Sequence, residues 1–165
     1  MRWKYFLTLL AVFPLFSSFS SAQEIKVDLV LVEKAERKMH LISKREKIKT
    51  YHISLGANPI GHKQQEGDER TPEGVYLLDY KKENSSFYKA IHISYPNAQD
   101  KALAQAHRVN PGGQIMIHGQ KNNFAWLSWL TQQFDWTNGC IAVTNPEMDE
   151  IWNLVPIGTK IKIKK

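Results

Sequence analysis

The sequence predicts an α+β, β-rich domain, a β-sandwich or open barrel carrying two or three short helices. Three observations carry that reading. Short runs rich in Val, Ile and Leu alternate with polar residues from Ile25 to Tyr95 and again near the C-terminal end. Helix-start signals gather in the second half of the chain. The one long apolar run lies at the N-terminus. At 165 residues the chain is one domain, or one domain plus a processed segment. A composition of 42% hydrophobic and 23% charged residues is too apolar for a disordered chain.

The N-terminal run reads as a secretory signal peptide over residues 1–22. Arg2 and Lys4 precede a mostly apolar stretch from Tyr5 to Phe16, and small residues stand at Ser20 and Ala22. The run is short against the roughly 20 residues that span a bilayer; an uncleaved anchor is the alternative. No cysteine follows it, which argues against a lipoprotein anchor. Residues 23–165 then form a single domain. Removing Arg2 and Lys4 lowers the net charge from +6 to +4, a mild bias toward anionic surfaces. Without a stripe of cations interleaved with aromatics, no nucleic-acid partner is expected.

Within that domain, Ile25 to Glu33 reads as a strand, Lys34 to Arg37 as a turn, and Lys38 to Ser43 as the return strand of a hairpin. Lys47 to Leu55 is a third alternating segment. Gly56 to Pro72 is a long polar loop, of a length that is usually functional or mobile. Few apolar anchors offset its ordering entropy, so it is expected to border a substrate groove and to move. Gly74 to Tyr80 and Ala90 to Tyr95 read as strands, and Ala98 to Arg108 as a helix stopped by Asn110-Pro111-Gly112-Gly113. Gln114 to His118 is a short strand. Asn123 is placed to cap a helix through Phe134 that buries Trp126, Leu127 and Leu130. Cys140 to Thr144 is a strand, with the cysteine near its start. Asn145-Pro146-Glu147 opens a last helix, and Ile161 and Ile163 alternate with lysines in a final strand.

Two of these strands deliver reactive side chains. Ile115-Met116-Ile117-His118-Gly119 ends in a histidine, and Thr137-Asn138-Gly139-Cys140 leads the only cysteine into a strand. A strand–helix–strand excursion brings both to one sheet end. A thiol is activated by a neighbouring imidazole that lowers its pKa or removes its proton. The turn at Asn138, Gly139 and Cys140 is placed to aim backbone amides at a developing oxyanion, and Gly119 lets the backbone approach the imidazole. The plain alternative is a cysteine that only packs and a satisfied core histidine. Arg70 is a candidate partner for a substrate carboxylate, against the alternative of a solvated loop charge. His62 is a weaker candidate in the same loop. Trp136 is close enough in sequence to wall a pocket. His40, His52, His92 and His107 show no partnering pattern, and Asp149 and Glu150 read as helix-surface charges. The spacing of histidines and the lone cysteine give no metal site, and no cofactor is expected.

These motifs resemble the L,D-transpeptidase (YkuD-type) catalytic domain. His118-Gly119, then Thr137-Asn138-Gly139-Cys140-Ile141, is similar to that family's signature. Gly67-Asp68-Glu69-Arg70-Thr71-Pro72-Glu73-Gly74 resembles its upstream Thr-Pro-x-Gly element, and Ser54-Leu55-Gly56 is similar as well. The run from Trp136 to Trp152 looks closest to the YafK-like subgroup. The resemblance implies an L,D-transpeptidase-type fold in which Cys140 is the acyl nucleophile and His118 its base. It implies that the Gly119 carbonyl orients the imidazole and that Gly139 and Cys140, with Asn138, serve the oxyanion. Arg70, Trp136 and Thr137 are the candidate substrate contacts. The implied substrate is a peptidoglycan stem peptide, attacked at the L-centre carbonyl of meso-diaminopimelate to give a thioester. Many members carry Arg or Asn where Ala142 stands, and the YafK-like subgroup is associated with cleaving peptidoglycan from attached lipoprotein. Hydrolysis releasing lipoprotein is therefore expected, with 3–3 cross-linking, protein attachment, carboxypeptidase action or non-catalytic wall binding as alternatives. The implied setting is the periplasm, as a monomer that meets the membrane only through its signal peptide.

Overall fold

The computed structural model describes residues 26–165, so the expected signal peptide lies outside the described residues. Eight strands are laid down in chain order: β1 Leu29–Glu33, β2 Lys38–Ser43, β3 Glu46–His52, β4 Gly74–Ser85, β5 Tyr88–Ile93, β6 Met116–His118, β7 Ile141–Ala142 and β8 Lys160–Lys164. They form one mixed sheet in the order β3-β2-β1-β8-β4-β5-β6-β7. The β1–β8 and β6–β7 pairs are parallel and the rest antiparallel. The chain leaving β3 then meets the far edge. Ser54 bridges Ala142, and Gly56 bridges Thr137, so the sheet curls round toward closure as an open barrel. The fold class is the α+β, β-rich one that the alternating segments predict.

The period-two alternation explains most strands. In β8 Ile161 and Ile163 are buried and the three lysines point out. The core inside the curl is built from Val30, Val32, Met39, Leu41, Ile53, Leu55, Leu78, Ile91, Ile93, Ile117, Ile141 and Val143. Helix α1 (Ala98–His107) begins at Asn97 with a capping box to Asp100 and ends at a left-handed Arg108. Helix α3 (Asn145–Leu154) adds Met148 and Ile151 to the core. Its cap is Thr144, paired with Glu147, one residue earlier than the sequence suggests. Asp149 accepts from Tyr88 and Lys89, and Glu150 from Tyr51 and Lys49, so both carboxylates pin α3 to β5 and β3 rather than standing free.

Three segments depart from expectation. Strand β4 continues past Tyr80 through Lys81-Lys82-Glu83-Asn84 to Ser85, forming a long hairpin with β5. That extension is mostly polar and carries no alternation to read. The helix expected from Asn123 to Phe134 is only a 3-10 turn (Ala125–Leu127) followed by α2 (Ser128–Thr131). Its supposed inner face is outside: Trp126 is 73% exposed and Leu130 41%. Apolar residues there surround the segment instead of forming one stripe, so no single face has a core to join.

The loop from Gly56 to Pro72 is tied down rather than left loose. Buried Lys34 donates to the carbonyls of Gly61 and Thr71 and to Glu73. The Asp68 carboxylate accepts from Lys63 and from the amides of Gln64, Gln65 and Arg70. His62 accepts from the Glu73 amide at Nδ1 and meets Asp100 through Nε2 at 3.1 Å. These polar anchors replace the apolar ones that the expectation of mobility rested on.

Candidate active site

Parallel pairing of β6 with β7 sets the site. Ile117 lies opposite Ile141, and His118 opposite Ala142. Cys140 immediately precedes β7, so it falls two rungs before His118, an even step that puts both side chains on one face. They line the same cavity, of about 430 Å³, with Trp136, Thr137, Asn138, Phe87, Ser86 and Lys82 among its walls.

His118 is 4% exposed. Phe87 lies against it at 4.7 Å with the rings tilted by 39°, and Trp136 meets it edge-on at 5.8 Å between ring centroids. Its Nδ1 lies 2.6 Å from the Gly119 carbonyl. A carbonyl can only accept, so Nδ1 carries the hydrogen and Nε2 keeps its lone pair. Burial pushes the imidazole pKa down to about 4, against the smaller upward pull of the Gly119 bond. The ring is therefore neutral at pH 7 and able to accept a proton.

The thiol is also neutral. Burial raises the Cys140 pKa, and a backbone hydrogen bond at Met116 and the Lys63 charge only partly oppose it. The Cys140 Sγ–H is directed at the Gln114 carbonyl at 3.7 Å rather than at His118. Of the two activation routes open in the sequence, proton removal during reaction suits this geometry better than a standing thiolate.

The turn before Cys140 is built by Thr137. Its hydroxyl donates to the Cys140 carbonyl at 2.8 Å and accepts from the Gly139 amide at 3.2 Å. Thr137 is buried, and its backbone bonds Leu55 and Ala57. The hydroxyl is thus occupied within the turn, while Thr137 still lines the cavity. The Gly139 amide is occupied as well, which leaves Asn138 and Cys140 as the amides the turn has to offer an oxyanion. Gly139 has φ +112°, and a Cβ there would sit 2.6 Å from the Arg70 carbonyl. Gly119 is crowded too, with a Cβ falling 2.6 Å from Asn145 Oδ1. Gly139→Ala should therefore cost about 3 kcal/mol of stability, read as a lower denaturant midpoint at unchanged m-value.

Arg70 contributes its backbone to this turn, not its charge. Its guanidinium lies toward Gly61, and it is not among the residues lining the Cys140 cavity. The Asp68 carboxylate accepts from the Arg70 amide at 3.1 Å. Trp136 does wall the cavity, and its Nε1 is buried without a partner among the described residues. Asn138 is exposed and borders both this cavity and an adjoining one of about 350 Å³.

Two contributors escape a reading of the sequence. Phe87 reaches His118 only because β4 and β5 extend as a hairpin. Lys63, 3% exposed and bound to Asp68 at 2.8 Å, brings its charge to bear on Cys140 and lines the second cavity. Burial raises the Asp68 pKa, but Lys63 and three backbone amides outweigh it, so the carboxylate titrates below its usual range. A Lys–Asp spacing of five in a polar loop is the sole local signal for this pair.

A curled β-rich sheet that delivers a single cysteine and a histidine to one cavity defines a class. The chain belongs to the L,D-transpeptidase catalytic domain (YkuD) family, whose family model matches residues 27–163. It is 32% identical over 132 residues to the Escherichia coli (strain K12) protein named "Putative L,D-transpeptidase YafK", covering 76% of this chain and 46% of that one. The chain thus spans under half the length of the curated relatives it matches. The crystal structure of the helical cell shape determining protein Pgp2 (K307A mutant) from Campylobacter jejuni superposes with a TM-score of 0.68 at 25% identity, over 86% of this chain and 48% of that one. Bdellovibrio bacteriovorus Bd1075 shares the fold, with a TM-score of 0.59 at 22% identity, over 87% and 50% of the two chains.

Proposed function

We propose that this chain is an exported cysteine acyl-transfer enzyme that acts on peptidoglycan stem peptides and resolves its thioester with water. The observation that carries the reading is the shared cavity. It holds the Cys140 thiol and a neutral imidazole whose Nδ1–H is fixed on Gly119, leaving Nε2 as the base. His118 Nε2 takes the thiol proton as Sγ attacks the L-centre carbonyl of meso-diaminopimelate. The Asn138 and Cys140 amides stabilise the oxyanion. Collapse expels the amine, which leaves with the proton from His118. Water, deprotonated by the same imidazole, then cleaves the thioester to a carboxylate and restores the thiol. Membership of the YkuD family and the likeness to a cell shape determining protein support a wall substrate.

Hydrolysis is favoured by Ala142, which is fully buried and whose methyl group offers no charge or hydrogen bond to hold a second stem. Lipoprotein-bearing meso-diaminopimelate is the substrate proposed. The setting is the periplasm, reached through the signal peptide at residues 1–22, and the working unit is a monomer. One observation favours transfer instead. The adjoining 350 Å³ cavity carries Glu66 and Glu69, carboxylates suited to an acceptor amine.

The test supplies purified enzyme with lipoprotein-bearing muropeptides and excess free stem, followed by mass analysis. Released lipoprotein with a free carboxylate is the expected product. Lipoprotein released with its former partner carbonyl joined to the free stem as a new 3–3 cross-link, in place of a free carboxylate, would establish transfer, and no turnover of either kind would remove the enzymatic reading.

A further inference from the structure

The segment between the two reactive residues presents an unusual surface. Phe124, Trp126, Trp129, Leu130 and Phe134 all remain in water, the two indoles at 73% and 69% exposure. Large aromatics normally supply core burial, and a cluster of this kind left outside marks a contact surface. The cluster is held firmly. Gln120 donates to the Val143 carbonyl and accepts from Thr131, Ser54 donates to Gln132, and Asp135 pairs with Arg37 at 2.6 Å. Trp126 and Trp129 are three residues apart on consecutive helical turns, which sets them on one flank.

Its charge is distinctive. From Lys121 to Phe134 the only charged side chain is Lys121, itself 5.7 Å from the Phe124 ring. Asn123 and Gln133 add exposed amides. Anionic lipid surfaces and nucleic acids both call for clustered cations, which this segment lacks. A neutral sugar chain asks for what is present: flat aromatic faces for its C–H faces, and amides for its hydroxyl and acetamido groups. Phe124 links this surface to a groove that adjoins the reactive cavity. A groove of about 230 Å³ lined by Gln120, Lys121, Phe124, Leu127, Thr131 and Trp136 shares Trp136 with the Cys140 cavity. At that junction Trp136 Nε1 is a buried donor without a partner among the described residues.

We infer that the Phe124–Phe134 surface binds the neutral N-acetylated glycan strand from which the stem peptide hangs, so that substrate is held by its sugar as well as by its peptide. This rests on the peptidoglycan reading above. The stem is covalently joined to the glycan, and the groove that leads from Trp136 to Phe124 is where the sugar end would leave the Cys140 cavity, with Trp126 and Trp129 on the neighbouring turns of the same segment.

The experiment uses the full chain and glycan strands stripped of peptide by an amidase, with tryptophan fluorescence as readout. Saturable binding is expected. Trp126→Ala and Trp129→Ala should each weaken it about 3–10-fold, as expected for loss of one stacking contact; both are exposed, and a thermal melt checks that they fold. Wild-type enzyme should show a lower KM for glycan-linked than for glycan-free stem peptide, at similar kcat, and the double variant should show no such difference. Lack of glycan binding by the wild type would overturn the proposal. So would tryptophan-dependent binding to vesicles of phosphatidylethanolamine with a quarter phosphatidylglycerol in its place, or self-association through these indoles. Turnover of stem peptides without glycan binding defeats this inference alone. Glycan binding without turnover of any stem defeats the enzymatic reading and leaves the surface standing.

Discussion

Cys140→Ser should lose at least about a thousandfold in turnover of wall substrate while unfolding cooperatively at nearly the wild-type midpoint, and His118→Ala should lose a comparable factor. The serine variant keeps the shape of the turn, because Thr137, Gly139 and the β6–β7 register hold it, not the thiol. It lacks a nucleophile that a neutral imidazole can deprotonate readily, since a hydroxyl is far less acidic than a thiol. The two losses should not add in the double variant, because nucleophile and base act in one step. Intact-mass spectrometry supplies a second readout: substrate should leave a covalent acyl adduct on wild type and none on Cys140→Ser. A soluble serine variant with full activity would sink the nucleophile assignment. The raised thiol pKa adds a corollary, that Cys140 in the free enzyme reacts with iodoacetamide more slowly than free cysteine at pH 7.

What the sequence disclosed follows from how local each signal is. Strand β8 is legible because every second residue is buried, so its period is written in five consecutive letters. His118 and Cys140 are legible because each sits beside a glycine at a strand boundary, an arrangement with a chemical reason behind it. The far half of β4 is not legible, since its residues mostly face water and share no period. Phe87 belongs to the site only through contacts made across the fold, and Lys63 has no local signal beyond Asp68 five residues on. The segment from Asn123 to Phe134 misled in a more instructive way. Its apolar content is real, but the aromatics lie outside the core, so a surface built for contact reads as a buried helix. Arg70 shows the same limit for charges: its place in a polar loop carries no signal for the guanidinium lying toward Gly61.

The buried imidazole should make stability itself depend on pH in a window that can be assigned. In the unfolded chain His118 titrates near 6.5, and in the fold its pKa is pushed down to about 4. Between those values the unfolded state binds more protons than the folded one, so stability rises with pH there and falls as acid is added. The contribution is fully present above about pH 6.5. Roughly 3 kcal/mol of it is lost by pH 4, at about 1.36 kcal/mol for each pH step between the two values. Carboxylates also titrate in acid. Asp68 is held below its usual range by Lys63 and backbone amides, against burial, and its own contribution is lost only further down. The comparison that isolates the histidine is therefore wild type against His118→Asn, by urea unfolding at pH 7 and pH 4. Wild type should lose about 3 kcal/mol more than the variant over that interval. The same lowered pKa places the acid limb of kcat/KM near 4 rather than near 6.5, because the base stays unprotonated down to that pH. Equal pH dependence in the two proteins would mean that His118 is not held neutral by its aromatic surroundings. The Nε2 lone pair would then be free only above about pH 6.5, and the acid limb would move up accordingly.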